Sequence, residues 1–584
     1  MDPSSERSLS LGQVVGSAGR FGHQEWRGIP FAAPPVDDLR WRTPVRAEAW
    51  EGTLEAIHDP SPCVQLATRS SIIGGDDEEG GPAGSEDCLY LNVFAPTLEP
   101  EEVPQAGELL PVMFWIHGGG NTVGDITMYN GGALAQKYGV IVVTTQYRLG
   151  PFGWFRHEAL RASGADDLGR SGNFGTLDLI ASLEFVRDEI AAFGGNPDNV
   201  TIFGESAGGS DVISLLLADR ADGLFHRAVV ESGSGTMTAP SVAENFVDDA
   251  SPGHAASSNE VLLNLLIGEG SADTREEARA VAATMEGGET ARVLRGRDAA
   301  EIMAAYSGAG LGMVSMPKLF GDGELLPAST FDAFAAGNYN RVPIIFGTNR
   351  DETKLFQIGD TNLVNWRFGF YPRVKEWDDY NKTAEYRSKL WKAVGVDELA
   401  RRARAVQGPS VYAYRFDWDE EPTRLFLEFS RLFGAAHVVE VFFVFGDFDL
   451  GVLSLPFFSS DNEAGRVQLS DRMMSYWVNF ARTGSPARGV MGDLAEWTAW
   501  DESRAEAPRL MVLDSEADGG VRMVAESVTK ESVIAQVAAD ERFGDDAERC
   551  ALLRTARSGY ILEADLEGLC GALPGPVSAP GPEV

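Results

Sequence analysis

The stretch NVTIFGESAGGSDVISLLLAD, residues 199–219, decides how the chain is read. Asn199 to Phe203 is an apolar run of strand length, and Ser210 to Asp219 has helical spacing. Between them, Gly204-Glu205-Ser206-Ala207-Gly208 fits G-x-S-x-G. The glycines permit a tight strand-to-helix turn that would strain residues carrying a Cβ, and such a turn presents the Ser206 hydroxyl above a sheet at a helix N-terminus. As a bare pattern the motif recurs by chance. In this setting it marks a nucleophile.

Working outward, LLPVMFWIHGGG (109–120) and YGVIVVTTQYRLG (138–150) are apolar runs of the kind that form strands buried on both faces. HRAVVESGS from His226 and RVPIIFGT from Arg341 are further short strands, separated by long helical or irregular stretches. Strands alternating with helices predict an α/β fold with a large, mostly parallel central sheet flanked by helices.

A serine that attacks a carbonyl needs donors for the developing oxyanion. His117-Gly118-Gly119-Gly120 follows a buried strand, and the N–H groups of Gly119, Gly120 and Ala207 are the candidates. It also needs a base, and in this arrangement the chain order is nucleophile, acid, histidine. Of seven histidines, His23, His58, His117 and His157 precede Ser206, His226 opens the next predicted strand, and His254 precedes any suitable acid. His437 remains. The acid belongs just past a late strand, where RVPIIFGTNRDETKLF offers both Asp351 and Glu352. The residues themselves do not separate the two.

Composition narrows the function classes. With 584 residues and 44% hydrophobic content the chain can bury a large core, and 87 acidic against 49 basic residues give a formal net charge of -38. That field repels phosphate backbones, so nucleic acid is not an expected partner. No stretch approaches the ~20 apolar residues of a membrane span. The start, MDPSSERSLSLGQ, lacks the pattern of a secretory signal. The four cysteines match no zinc spacing, no glycine-rich nucleotide signature follows a strand, and no solenoid repeat is present, so no metal or cofactor is called for. Acidic, glycine-rich residues 74–84 read as a surface loop. The expected organisation is one hydrolase domain over 1–540, a C-terminal helical extension over 541–570, and a Pro/Gly-rich tail over 571–584 whose composition marks it as disordered.

The motifs together resemble the type-B carboxylesterase/lipase family of the α/β-hydrolase superfamily, which includes carboxylesterases, cholinesterases, bacterial p-nitrobenzyl esterases and the non-catalytic neuroligins. The likeness runs from about Gly12 to Pro486: WRGIPFAAPP from Trp26, SEDCLYLNVFAP from Ser85, HGGG, YRLGPFGW from Tyr147, GNFGTLD from Gly172, FGGNPDNVTIFGESAGG from Phe193, ESGS from Glu231, GTNRDE from Gly347, GAAH from Gly434 and WVNFARTGSP from Trp477. The resemblance implies an α/β-hydrolase fold with helical insertions forming a gorge, and a serine esterase acting on a small-molecule ester.

It places the acid on Glu352, although Thr353 stands where the family has glycine. It puts Glu205 and Ser232 beside the triad, makes Arg40 and Glu86 a structural ion pair, and implies a Cys63–Cys88 disulfide. Cys550 and Cys570 lie beyond it, and a bridge between them is an expectation that no motif carries. The interval between Cys63 and Cys88 holds no Trp, Tyr or Phe, which argues against a dedicated cholinesterase. Asn121, directly after HGGG, is expected to bring a polar group to the acyl side of the pocket. Met313, Met316, Phe320, Trp366 and Phe433 are candidates for an apolar gorge, against the plainer reading as core.

The same machinery also serves an amide or a carbamate, and a neuroligin-like binding module is the alternative from another class; intact Ser206 and His437 weigh against the latter. The missing signal pattern favours the cytoplasm, whereas a family-type cysteine pair favours an oxidising compartment or secretion. Oligomeric state is not legible.

Overall fold

A computed structural model describes residues 1–67, 81–105, 107–163, 166–368, 371–449, 454–556 and 563–570. The predicted tail 571–584 and the expected acidic loop up to residue 80 lie outside them. The architecture is α/β, with eleven strands of mostly parallel sheet flanked by helices.

The chain divides into two compact units. The first comprises Met1–Phe203, Asp211–His226 and Met237–Ala333. Its sheet strands are β1 (Ser17–Ala18), β2 (His23–Pro30), β3 (Tyr90–Pro96), β4 (Leu110–Ile116), β5 (Ile141–Thr145) and β6 (Gly195–Glu205), in the order β6-β4-β5-β3-β2-β1. β4 and β5 pair in parallel, Val112 through Ile116 against Ile141 through Thr145, with Ile141 opposite Val112 and Thr145 opposite Ile116. All five residues of β5 are buried, which is why these runs are apolar without alternation. β3 pairs antiparallel with both β5 and β2, and β1 closes the edge antiparallel to β2. The expected ion pair is present here: Arg40 Nε donates to Glu86 Oε2 at 2.7 Å, and its guanidinium also donates to the Arg295 carbonyl at 2.9 Å. The Cys63–Cys88 disulfide is formed in this unit.

The second unit comprises Gly204–Ser210, Arg227–Thr236 and Phe334–Val584. Its sheet strands are β7 (Arg227–Glu231), β8 (Ile344–Asn349), β9 (Val411–Phe416), β10 (Leu510–Leu513) and β11 (Arg522–Val524), in that order. β7 through β10 are parallel, and β11 is an antiparallel edge. Glu231 ends β7 opposite Gly347, and β8 runs two residues further to Asn349. The segments that follow these two strand ends therefore emerge on one side of the sheet, where ligands bind in open α/β sheets. Beyond the last sheet strand come three helices, Lys530–Ala539, Asp546–Thr555 and Glu563–Cys570, and Cys550 is bonded to Cys570. Among the described residues no helix is long and apolar enough to cross a membrane.

Candidate active site

The second unit carries the strand-to-helix turn. Ser206 sits between β6 and the helix Ala207–Leu217 with φ at 59°, a left-handed conformation that costs a non-glycine residue energy and persists where its surroundings hold it. Two backbone bonds do so: Ser206 N donates to the Glu231 carbonyl at 2.9 Å, and Ser210 N donates to the Ser206 carbonyl at 3.0 Å. Gly209 makes the close approach possible, since a Cβ there would fall 2.6 Å from the Glu231 carbonyl oxygen.

His437 lies in the segment between the short helix Phe429–Leu432 and the helix Val439–Phe445, and Val438, at φ 78°, turns the chain directly after it. Its Nδ1 is 2.6 Å from Glu352 Oε2. The other Glu352 oxygen accepts from Thr348 Oγ1 and from Asn349 N, each at 2.7 Å. Both side chains are buried. A carboxylate fixed in this way selects the Nδ1–H tautomer and leaves the Nε2 lone pair facing outward from the pair. That Nε2 stands 3.1 Å from Glu205 Oε1 without hydrogen-bond alignment. The imidazole is walled by Trp391 and Phe356, with ring centroids at 4.9 and 5.2 Å.

Asp351 faces elsewhere. Its carboxylate meets Arg350 Nε at 2.9 Å, Lys354 Nζ at 3.1 Å and Ala435 N at 3.3 Å. Geometry thus separates the neighbours that the residue types leave tied. Thr353, at the family's glycine position, donates its N–H to Ser388 Oγ at 3.3 Å and its hydroxyl to Gln357 Oε1 at 3.1 Å.

Three more buried carboxyls crowd this region. Glu440 accepts from Ser232 Oγ at 3.1 Å and from Asn349 Nδ2, whose amide also reaches the Ala436 carbonyl at 2.7 Å. Glu231 accepts from Trp477 Nε1 at 2.7 Å. Burial, with the charges of Glu440, Glu352 and Glu231 in that order, pushes Glu205 well above the usual carboxyl range. Burial and the charges of Glu352 and Glu231 do the same to Glu440, and burial raises Glu231 to about 8. Burial also works against an ionised Glu352, but the charge and hydrogen bond of His437, with the Ser232 hydroxyl and the Asn349 N–H, bring it below its ordinary value. Of the four carboxyls Glu352 is the one whose ionised form its partners favour, and it is the one bonded to the imidazole.

In the first unit the HGGG turn follows β4. Gly119 and Gly120 adopt φ of 101° and 63°, and a Cβ on Gly120 would lie 2.6 Å from Met313 Sδ. Met313 therefore packs on this turn. Asn121, expected on the acyl side, is 2% exposed, and its amide is engaged within the protein by Asp211 and Tyr147. Met316, Phe320 and Phe433 are buried, whereas Trp366 is 45% exposed, its Nε1 donating to the Ile358 carbonyl at 3.0 Å. Sequence reasoning passed over Glu231, Glu440, Asn349 and Trp477. Glu440 had one signal, its position three residues after His437 on an adjoining helix.

Comparison with known proteins identifies the family. The profile of the Carboxylesterase family matches residues 3–367 and 374–533. The para-nitrobenzyl esterase of Bacillus subtilis (strain 168) is 33% identical over 528 residues, covering 87% of this chain and 94% of that protein. The human cocaine esterase is 32% identical over 516 residues, covering 82% and 84%. Among solved structures, a PNB esterase superposes with a TM-score of 0.63 at 29% identity over 89% of this chain and 97% of its own. The carboxylesterase of Geobacillus stearothermophilus gives 0.65 at 29% identity, over 89% and 98%. With the family profile spanning nearly the whole chain, and relatives of this identity over most of its length, the chain belongs to the carboxylesterase family and is a carboxylic ester hydrolase.

Proposed function

We propose that ester hydrolysis here proceeds through an acyl-enzyme on Ser206, with His437 as general base and acid and Glu352 as its carboxylate partner. The observation that carries this reading is the buried His437–Glu352 pair at 2.6 Å, in the same unit as a serine held at φ 59°. Ser206 Oγ attacks the ester carbonyl while His437 Nε2 takes its proton, and the imidazolium that forms is stabilised by ionised Glu352. The tetrahedral oxyanion is received by the N–H groups of Gly119, Gly120 and Ala207. His437 then gives the proton to the departing alkoxide. In the second half water attacks the acyl carbonyl, His437 takes the water proton, and Ser206 leaves as the alcohol.

Turnover of p-nitrophenyl acetate, butyrate and octanoate by the wild-type chain and by Ser206→Ala tests the assignment. The variant is expected to lose at least ~10⁴-fold in kcat on every ester. Retained turnover in Ser206→Ala would move the nucleophile elsewhere. A wild type that cleaves matched amides or carbamates faster than esters would change the bond but not the residues.

A further inference from the structure

Asn121 and Asp211 are ninety residues apart, and neither is needed by the reaction as derived. Asn121 directly follows Gly120, the last of the three glycines of the HGGG turn, and Asp211 lies on the helix Ala207–Leu217, one turn after Ala207. Both are buried, at 2% and 0% exposure. Asn121 Nδ2 donates to Asp211 Oδ1 at 3.2 Å. The Tyr147 hydroxyl lies 2.7 Å from the His117 carbonyl and 3.1 Å from Asn121 Oδ1, and its ring stacks on His117 at 4.6 Å. The Asn121 carbonyl accepts from Gly150 N at 2.7 Å. Asn121 itself has φ 58°, a left-handed conformation that asparagine adopts more readily than most residues carrying a side chain.

We propose that Asn121, Asp211 and Tyr147 are positioning residues for the turn that carries the Gly119 and Gly120 N–H groups, tying it to Asp211 within the first unit. This rests on the assignment of those two N–H groups as oxyanion donors. The physical reason is geometric. Oxyanion donors act by being fixed in advance at the place where charge develops, and the glycines that let the turn adopt its shape also leave it few side-chain anchors of its own. The first side chain after the glycines supplies an anchor, and a hydrogen-bonded amide between two buried partners has one satisfied geometry, so a slip of the turn leaves polar groups unpaired. Burial pushes Asp211 well above the usual carboxyl range against the opposing hydrogen bonds of Asn121 and Tyr147 and the charge of Lys318, and the side-chain carbonyl of an asparagine there would offer Asn121 Nδ2 the same acceptor.

The test uses the full chain with p-nitrophenyl butyrate as substrate and an alkyl trifluoromethyl ketone, which becomes a tetrahedral oxyanion on the serine, as probe. Asn121→Leu and Asp211→Leu should each lower kcat by ~10- to 100-fold with KM within about threefold, and weaken the ketone by a similar factor, because misplaced donors fail the transition state and not the ground state. Asp211→Asn should retain activity within about threefold. Asn121→Asp alone should lose activity by placing two carboxyls face to face, and combining it with Asp211→Asn should restore it, since donor and acceptor are exchanged. That rescue is decisive where the leucine variants do not fold.

Folded leucine variants with unchanged kcat and ketone affinity would overturn the proposal. So would an Asp211→Asn as impaired as Asp211→Leu, or an exchange that restores nothing. A wild type that turns over no ester would instead sink the esterase assignment beneath it.

Discussion

Two carboxylates adjacent in the chain live in opposite surroundings. Asp351 is ringed by cations, Arg350 and Lys354, which with their hydrogen bonds overcome its burial and hold it below its usual range. Glu352 faces one imidazole and shares its neighbourhood with Glu205, which lies beside His437, with Glu231, which accepts from Trp477, and with Glu440, which accepts from Ser232 and Asn349. The first arrangement makes a structural ion pair network, further tied by Arg350 to Asp419 at 2.7 Å. The second makes a chemical one. Where one carboxylate is bonded to the base and the others are buried around it, burial, with like charge at Glu205 and Glu440, disfavours ionisation of the others, while the imidazole favours it for the one it bonds. The overall charge of -38 carries no information about this, because partners at 3 Å outweigh a diffuse surface field.

The sharpest way to break the comparison is to neutralise the two neighbours separately. Glu352→Gln should lower kcat by ~10³- to 10⁴-fold with little change in KM, because the wrong tautomer is then favoured and the imidazolium loses its partner. Steady-state kinetics on p-nitrophenyl butyrate at pH 8 measures it. Asp351→Asn should change kcat by less than about tenfold, and a larger fall than in Glu352→Gln would reverse the assignment.

The contrast also shows what the sequence made legible. The strand, turn and helix around Ser206 are local: apolar run, two glycines and helical spacing sit within residues 199–219, and so does their geometry. His437 followed from chain order because few histidines compete. Asp351 against Glu352 was separated only by the family resemblance, since adjacent residues differ in where the turn after β8 points them, and that is set by contacts to Thr348 and His437. Asn121 was legible as an unusual residue and not as to its partner, because Asp211 meets it only through the fold. Glu231 and Glu440 were hidden for the same reason: a buried acid and a solvated one are the same letter. The Cys550–Cys570 bridge, which no motif announced, is formed between two helices of the C-terminal extension.

A smaller effect sharpens the electrostatic half of the account. Glu231 is raised to about 8 by burial, so folding takes up a proton whenever the unfolded carboxylate is ionised. Its contribution to stability is therefore complete below the unfolded pKa of ~4.3 and is lost as pH climbs from there to about 8. Glu231→Gln removes that dependence. The melting temperature of the variant should fall less than that of the wild type between pH 5 and pH 8, by ~1–3 °C, with kcat at pH 7 within about threefold. Parallel melting curves across that range would show that Glu231 is ionised in the folded protein.

The proposed nucleophile is Ser206, served by the His437–Glu352 pair. A fluorophosphonate that bonds covalently to an activated serine tests it in one step, read as intact mass and then by peptide mapping. The account predicts one adduct per chain, on the peptide containing Ser206, formed by wild type and Asp351→Asn and slowed at least ~100-fold in Glu352→Gln. An adduct on another serine, or equal labelling of wild type and Glu352→Gln, would contradict it.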